Sequence, residues 1–303
     1  MSYHSAGDAS YSIDYFHGRH CAYFLTHIHT DHLCGLHNGW KNGKIYCSEQ
    51  TKQLLLSMFE LNINLIVSFP LDYPNILKLR ESYVTVTFVD ANHCPGSIMV
   101  KICGDFGCRL HSGDFRFDYD LHQRQIFKGI NFLFLDTTFF HPSWRMPTKV
   151  QSCEAVIDLI LRKGQTRLVY IAADCYGQED ILLSIHRRFG EPVVLDIAHA
   201  GISRRTRAVW SNWLNNVPCL QSAVTENTKS PSRFRACAAN GKGVSKLNRE
   251  NALNIFSLAK REVESNLLIR ASTLWFGSRD RFESCERVER SLFLSIYVCL
   301  SVL

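Results

Sequence analysis

The stretch Thr26-His27-Ile28-His29-Thr30-Asp31-His32 decides the fold of this 303-residue chain. It comes directly after the apolar segment Ala22–Thr26, which is typical of a buried strand. Because side chains alternate along a strand, the first two histidines point to one face, and the following loop can bring the aspartate and the last histidine back to the same place. Neutral imidazoles and a carboxylate that converge on one point suit zinc or a similar divalent ion. The stretch therefore predicts a metal site at the end of this strand.

A second motif, Asp90-Ala91-Asn92-His93-Cys94-Pro95-Gly96-Ser97, follows the predicted strand Tyr83–Val89. Its Pro-Gly pair indicates a tight turn at the strand end, where His93 is well placed as a further metal ligand. Cys94 is either a ligand or a thiol packed beside the turn, and the second interpretation is favoured.

A third motif, Leu110-His111-Ser112-Gly113-Asp114-Phe115-Arg116, again lies at a strand end. A Gly-Asp pair by itself is more often a hairpin turn. Together with the other two motifs, Asp114 is predicted to bridge two metal ions, because a carboxylate has two oxygens and can hold cations ~3.5 to 4 Å apart.

The pattern of apolar and turn-forming residues changes near residue 150. Before it, β-branched and aromatic runs are cut by Gly, Asn, Asp and Pro, which predicts strands and turns, and helical spacing is found at 48–59 and 149–162. After it, strand and helix alternate at 167–172, 178–189 and 192–196, which is typical of a parallel α/β unit. We predict a first domain at 1–150, a partial cap at 151–215 and a divergent, basic, poorly ordered region at 216–303, with a helix at 247–268.

Composition and charge narrow the class of protein. With 46% hydrophobic and 20% charged residues, the chain is expected to be a folded soluble protein, and not a disordered, collagen-like or coiled-coil one. The N-terminus has no signal-peptide pattern, and the longest apolar stretch, 291–303, is too short to span a membrane. Twelve cysteines without C-x-x-C pairs fit a reducing compartment better than a disulfide scaffold.

Taken together, the three motifs resemble the metallo-β-lactamase fold, and specifically its Artemis/Apollo-like branch of DNA cross-link repair nucleases. The resemblance runs from about Tyr11 to Asp196. It implies an α/β fold of the metallo-β-lactamase αββα type with a partial β-CASP cap. It also implies zinc as the cofactor, at two sites, although the sequence does not distinguish zinc from manganese or iron.

The resemblance further implies a role for each site residue. One metal would be held by His27, His29, His93 and Asp114, and the second by Asp31, His32 and Asp114, the last three being the catalytic residues. Three acids would orient the ligands: Asp14 in Ser12–Phe16, Asp136 in a D-T-T segment, and Glu179, which lines up with the first acidic motif of the cap.

By the same resemblance, the activity would be 5′ to 3′ exonuclease-like hydrolysis of DNA in the nucleus, in interstrand cross-link repair and the processing of double-strand break ends. Expected partners are damaged or 5′-ended DNA and repair-complex proteins, without a membrane, and the chain is expected to be a monomer. Residues 201–303 hold 16 Lys+Arg against 8 Asp+Glu, whereas residues 1–200 hold 18 against 20. Because DNA is a polyanion, this basic excess fits nucleic acid, and the predicted binding residues are Arg187, Arg188, Arg204, Arg205 and Arg207.

The sequence departs from the family near its C-terminus, where relatives complete the second metal site with a histidine-containing segment. All 13 histidines lie at or before His199. This leaves open a catalytically impaired metal-binding isoform. A β-CASP ribonuclease is a separate alternative, because the resemblance includes relatives that cleave RNA. A small-molecule hydrolase is disfavoured by the cap, and the apolar ending 291–303 is interpreted as an alternative terminus or translated non-coding sequence.

Overall fold

The chain forms two compact units, Met1–Phe140 and residues 141–302. The computed structural model describes residues 2–6, 9–117, 127–140, 147–163, 168–173, 175–199, 202–237, 267–271 and 294–298. The sequence predicted a boundary near residue 150, and its three-part division stays a prediction. The predicted helix at 247–268 and the ending at 291–303 lie largely outside the described residues.

The described strands and helices are numbered in chain order. The strands of the first unit are β1 Ser2–Ala6, β2 Ala9–Ile13, β3 Ala22–Phe24, β4 Ile45–Cys47, β5 Ile66–Ser68, β6 Pro74–Leu79, β7 Ser82–Asp90, β8 Ile98–Gly104, β9 Gly107–His111 and β10 Phe132–Phe134. Those of the second are β11 Val169–Ala172, β12 Val193–Val194, β13 Val224–Thr225, β14 Phe234–Cys237, β15 Leu267–Ala271 and β16 Leu294–Val298. The helices are α1 Glu49–Met58, α2 Lys149–Lys163, α3 Glu179–Phe189 and α4 Arg204–Asn216.

Two five-stranded sheets build the first unit, in the orders β1-β2-β3-β4-β5 and β10-β9-β8-β7-β6. Alternate side chains of the two sheets share one buried cluster, which includes Phe24 from the first sheet and Val86, Phe88 and Val100 from the second. Burial of these apolar faces drives the two sheets together. The predicted strand segments of this unit each contain a strand, but β1, β2 and β6 were not predicted; in β6 the outward residues are exposed and Ile76 breaks the alternation of apolar and polar residues.

Helix α1 secures the turn that carries the second motif. Its N-cap Ser48 accepts a hydrogen bond from the Thr51 N–H, as expected for a serine at this position. The hydroxyls of Ser48 and Thr51 both donate to the Gly96 carbonyl, at 2.7 and 3.0 Å. A Cβ at Gly96 would lie 2.8 Å from Thr51 Oγ1, and the backbone there has φ +80°, so only glycine fits this turn.

The second unit contains a six-stranded sheet in the order β13-β12-β14-β11-β15-β16, and all its described pairings are parallel. Helix α3 connects β11 to β12, and α4 connects β12 to β13. This alternation of strand and helix confirms the predicted α/β class. Among the described residues, no helix is long and apolar enough to cross a membrane.

Two of the described cysteines form a disulfide, and the other eight are free. Cys103 and Cys108 are bonded to each other across the β8–β9 hairpin. The antiparallel register places these residues directly opposite one another, with a Cα–Cα distance of 4.1 Å. The sequence analysis weighed C-x-x-C spacing and therefore missed a pair formed by a hairpin.

Candidate metal centre

The ends of several strands in the first unit meet at one place. His27 and His29 follow β3, His93 follows β7, and Asp114 follows β9. Asp31 and His32 lie in a short 3-10 helix, Thr30–Leu33, directly after the first two histidines. The Ile98 N–H donates to the Thr26 carbonyl at 2.9 Å, which ties the strand ends of the two sheets together. Residues from separate motifs therefore converge, as the sequence predicted.

Two groups of side chains could each hold a metal ion. The first consists of His27, His29, His93 and Asp114, and the second of Asp31, His32 and Asp114. Within each group the ligand atoms lie within 4.8 Å of one another. Asp114 belongs to both groups, so its two oxygens can serve two ions.

The first group is almost fully buried. His27 Nε2 and His93 Nε2 lie 3.8 and 3.7 Å from Asp114 Oδ2, and His93 Nε2 lies 3.0 Å from His29 Nδ1. His27 Nε2 is buried and has no hydrogen-bond partner among the described residues. A buried imidazole nitrogen without a partner costs free energy, and a metal ion would satisfy this nitrogen.

The second group faces solvent on one side. His32 Nε2 lies 3.1 Å from Asp114 Oδ1 and 3.5 Å from Asp31 Oδ2. The Asp31 side chain is 69% exposed, whereas that of His32 is 10% exposed. This group therefore supplies three ligands and an open side, which is the arrangement of catalytic metal sites.

Asp14 and Thr26 orient the two histidines that carry the centre. Asp14 Oδ1 accepts the Thr26 N–H at 2.7 Å, and Asp14 Oδ2 accepts the Thr26 hydroxyl at 2.6 Å and the Nδ1–H of His32 at 2.8 Å. Since Thr26 donates its only hydroxyl hydrogen to Asp14, its oxygen accepts from His27 Nδ1 at 3.0 Å. Both imidazoles then carry a hydrogen on Nδ1, so each ring would offer its Nε2 to a metal, at His27 directly and at His32 after loss of the Nε2 hydrogen that faces Asp114.

Thr26 and Gly113 are functional residues that the sequence reasoning missed. Gly113 has φ +52°, and a Cβ there would lie 2.9 Å from the Thr26 side chain. Asp14 itself adopts φ +53°, an uncommon conformation for a residue other than glycine. The available signal was a hydroxyl residue just after the strand and directly before the first histidine.

Burial and charge set the protonation of the cluster. Burial lowers the pKa of His27 well below its ordinary value of 6.5, and the neighbouring histidines lower it further. Burial also opposes the charge on His32, but hydrogen bonds to Asp114 and Asp14 outweigh it and raise the pKa of His32 to about 10. For Asp114, burial disfavours the carboxylate, and the hydrogen bond to His32 overcomes this effect and lowers the pKa of Asp114.

The turn after β7 presents His93 in the predicted way. Ser97 Oγ accepts the backbone N–H groups of His93 and Cys94, both at 3.2 Å, and so fixes the backbone of the turn. Cys94 is buried and belongs to neither ligand group. The preferred interpretation of Cys94 as a packed thiol is consistent with this position.

Two of the predicted orienting acids make contacts outside the cluster. The Asp136 carboxylate accepts the N–H and the hydroxyl of Thr138, while its own N–H donates to Ser112 Oγ at 2.8 Å. Glu179 lies in the second unit, where its carboxylate accepts Trp213 Nε1–H at 2.8 Å and the Gly177 N–H at 2.7 Å. Burial raises the pKa of Glu179 to about 7.

The five predicted DNA-binding arginines do not form one surface. Arg187 and Arg188 are exposed in the last turn of α3. The other three lie in the first turn of α4 and include Arg207, whose Nε donates to the Ile197 carbonyl at 3.0 Å. In a parallel sheet, a helix that follows a strand begins at the carboxyl edge and ends at the amino edge. The end of α3 and the start of α4 therefore lie at opposite edges of the sheet.

Comparison with known proteins finds curated proteins of similar sequence. The chain is 33% identical over 175 residues to the DNA cross-link repair protein SNM1 of Arabidopsis thaliana, a match that covers 56% of this chain and 35% of that protein. It is 35% identical over 175 residues to the 5′ exonuclease Apollo of Gallus gallus, covering 57% and 37%. It is 29% identical over 290 residues to the protein artemis of Danio rerio, covering 86% and 43%. This chain is similar in sequence to SNM1, Apollo and Artemis proteins.

The relationship confirms the predicted resemblance and the fold class. The chain spans between about a third and two fifths of the length of these relatives. No family model matches the chain. A crystal structure of a protein of unknown function from Enterococcus faecalis V583 aligns over 92% of this chain and 69% of that one, with 12% identity and a TM-score of 0.47, which is too low to contribute to the assignment.

Proposed function

We propose that this chain is a metal-dependent nuclease that hydrolyses phosphodiester bonds of DNA from a 5′ end. The observation that carries the proposal is the pair of ligand groups that share Asp114. This arrangement is suited to two-metal hydrolysis of phosphate esters. The curated relatives, which include proteins named for 5′ exonuclease activity and for cross-link repair, support a role in interstrand cross-link repair and the processing of break ends in the nucleus.

Zinc is the proposed metal, with two ions per chain. The donor set consists of imidazoles and carboxylates, which suit zinc. The residues fit the ion, because the buried Nε2 of His27 has no other partner among the described residues and its low pKa keeps it neutral. When bound, the ions would supply Lewis-acid chemistry that lowers the pKa of a water and stabilises charge on phosphate oxygens.

The residues of the chain would contribute orientation and access. Asp14 and Thr26 hold the imidazoles of His27 and His32 with their Nε2 atoms toward Asp114. The exposed Asp31 marks the side from which a phosphodiester can approach, whereas the first group is closed to solvent. Such fixed placement of charge is the main contribution a protein makes to phosphoryl transfer.

Damaged or 5′-ended DNA is the proposed partner, with the chain acting as a monomer alongside proteins of a repair complex. Arg204, Arg205 and Arg207 lie together at the start of α4 and offer positive charge to the phosphates. Glu179 begins α3 at the same edge of the second-unit sheet. We assign Glu179 to the support of this edge through its hydrogen bond to Trp213.

The test is cleavage of 5′-phosphorylated DNA by wild-type protein, Asp31→Ala and Asp105→Ala. Asp105 is a matched control, since it is an exposed aspartate of the same unit that lies in the β8–β9 hairpin, outside both ligand groups. We expect Asp31→Ala to abolish cleavage while Asp105→Ala retains it. Equal activity of the wild type and Asp31→Ala would refute the proposed site, and preference for RNA in a side-by-side assay would identify a ribonuclease.

A second candidate function is a metal-binding isoform without catalysis. It is favoured by the absence of any histidine after His199, in a segment where the family resemblance places a further ligand. Metal analysis separates the two: two ions per chain with cleavage support the nuclease. One ion per chain without cleavage supports the impaired form.

A further inference from the structure

The turn that carries His93 rests on the N-terminus of α1. The hydroxyls of Ser48 and Thr51 donate to the Gly96 carbonyl at 2.7 and 3.0 Å, and so occupy both lone pairs of that oxygen. A Cβ at Gly96 would lie 3.0 Å from Ser48 Oγ and 3.0 Å from the Thr51 backbone nitrogen, so the helix and the turn are in direct contact. These two hydroxyl residues lie 48 and 45 positions before Gly96 and belong to none of the three motifs.

The Gly96 carbonyl is connected to His93 through the next residue. Because the peptide unit between Gly96 and Ser97 is planar, two hydrogen bonds to its oxygen fix its orientation and the position of Ser97. Ser97 Oγ accepts the N–H groups of His93 and Cys94, both at 3.2 Å, and the Ser97 N–H donates to the Cys94 carbonyl at 3.0 Å. The hydroxyls of α1 therefore act on the backbone that presents the His93 imidazole.

The same turn is bonded to the segment that carries the first histidines. Ile98, which follows the turn, donates its N–H to the Thr26 carbonyl at 2.9 Å. The Thr26 hydroxyl oxygen lies 3.0 Å from His27 Nδ1. Residues 96–98 thus join α1, the His93 turn and the segment after β3, and the last two carry candidate ligands of the first group.

Burial makes these hydrogen bonds hard to replace. Thr51 is fully buried, and Ser48, Ser97 and His93 are buried as well. A buried carbonyl that loses its donors is costly, because water does not reach it. Loss of the α1 hydroxyls is therefore expected to displace the turn and, with it, the imidazole of His93.

We propose that Ser48 and Thr51 are positioning residues for the ion of the first ligand group, on which they act through the backbone of His93. The inference rests on the metal centre of the proposed function and does not depend on cleavage. Residues that orient a ligand contribute to metal affinity although they do not touch the ion. The effect of the two hydroxyls is expected to require His93, which belongs only to the first group.

Two variants each remove one donor to the Gly96 carbonyl. Thr51→Val keeps the shape of the side chain, and Ser48→Gly retains an N-cap that glycine fills with little loss of helix stability. Ser57→Ala is the matched control, because the Ser57 hydroxyl donates to the Leu54 carbonyl at 2.7 Å within the same helix. Zinc affinity is measured by competition with a chelating indicator, and circular dichroism establishes that each variant is folded.

All variants are made in Asp31→Ala, which removes a ligand of the second group, so that the affinity reports on the first group. We expect Thr51→Val and Ser48→Gly each to weaken zinc binding by about 10-fold, and the two together by up to about 100-fold. Thr51→Ser should restore most of the affinity, and Ser57→Ala should bind like the parent. In His93→Ala, Thr51→Val should have no further effect, because the ligand that it positions is gone.

A general loss of stability gives a different result from loss of positioning. Thr51→Val that binds zinc as tightly as Ser57→Ala, or that weakens binding equally with and without His93, would overturn the proposal. If Thr51→Val does not fold, Ser48→Gly provides the same test. The absence of zinc binding by the parent, or binding that His93→Ala leaves unchanged, refutes the metal centre and the positioning role together. Zinc binding that requires His93 but neither hydroxyl refutes the positioning role alone.

Discussion

Replacement of Thr26 by valine tests how far the metal centre depends on a residue that touches no metal. Valine keeps the shape of threonine and removes the hydroxyl that connects Asp14 to His27. Thr26 is fully buried, so water cannot replace these two hydrogen bonds. The imidazole of His27 then lacks the hydrogen bond that fixes its tautomer and orientation.

The magnitude follows from two hydrogen bonds. The Thr26 hydroxyl donates to the Asp14 carboxylate at 2.6 Å, and a hydrogen bond to a charged group contributes about 1.5 to 3 kcal/mol to stability. The buried Nδ1–H of His27 loses its acceptor, which costs about 1 to 3 kcal/mol more. Removal of a hydrogen bond that orients a metal ligand weakens metal binding by about 10- to 100-fold.

Zinc affinity, measured by competition with a chelating indicator, is the assay. Thr30→Val is the matched control, because Thr30 lies in the same segment, is exposed and makes no described side-chain hydrogen bond. Thr26→Ser keeps the hydroxyl and is expected to restore most of the affinity. If Thr26→Val binds zinc as tightly as the wild type, the hydrogen bonds of Thr26 do not orient His27 and the reasoning is wrong.

Three further predictions concern the same two units. Gly113→Ala places a Cβ at φ +52° and 2.9 Å from Thr26, so we expect it to lower the free energy of unfolding in urea by about 1 to 3 kcal/mol. The pKa of Glu179 rises from its ordinary 4.5 to about 7 on folding, so the unfolded state loses its proton first as the pH rises. The free energy of unfolding of the wild type therefore decreases as the pH rises through this range. The stability advantage of Glu179→Gln over the wild type, measured by urea denaturation at pH 5 and 8, should grow by up to about 3 kcal/mol. Because the pKa of His32 is raised to about 10, zinc binding at pH 8 should release about one proton from it, measurable by calorimetry in buffers of different ionisation enthalpy.

The sequence predicted that the candidate ligands converge, because their positions follow from strand geometry; their role as ligands stays a prediction. His27 and His29 alternate along a strand end, and His93 and Asp114 come directly after apolar runs. The rule that strand ends in a two-sheet fold lie close together is then sufficient to predict that these residues converge. Thr26 could not be assigned in the same way, because its role depends on an aspartate twelve residues earlier whose backbone adopts φ +53°.

The predicted DNA-binding arginines do not share one surface, because the distribution of charge along a sequence does not specify where each side chain lies in the fold. Arg187 and Arg204 are both exposed and both lie in the predicted cap, yet the parallel topology places them at opposite edges of one sheet.

The absence of a histidine after His199 is weak evidence against a second metal ion, because the second ligand group already has three members. Three candidate ligands, Asp31, His32 and Asp114, already offer atoms that lie within 4.8 Å of one another, and Asp14 orients His32. A catalytic zinc site needs three protein ligands and an open position, so a fourth protein ligand is not required for the ion to bind. The exposed side of Asp31 provides that open position. The absence of a histidine after His199 is therefore compatible with an ion in the second ligand group, and metal analysis of the purified chain tests this.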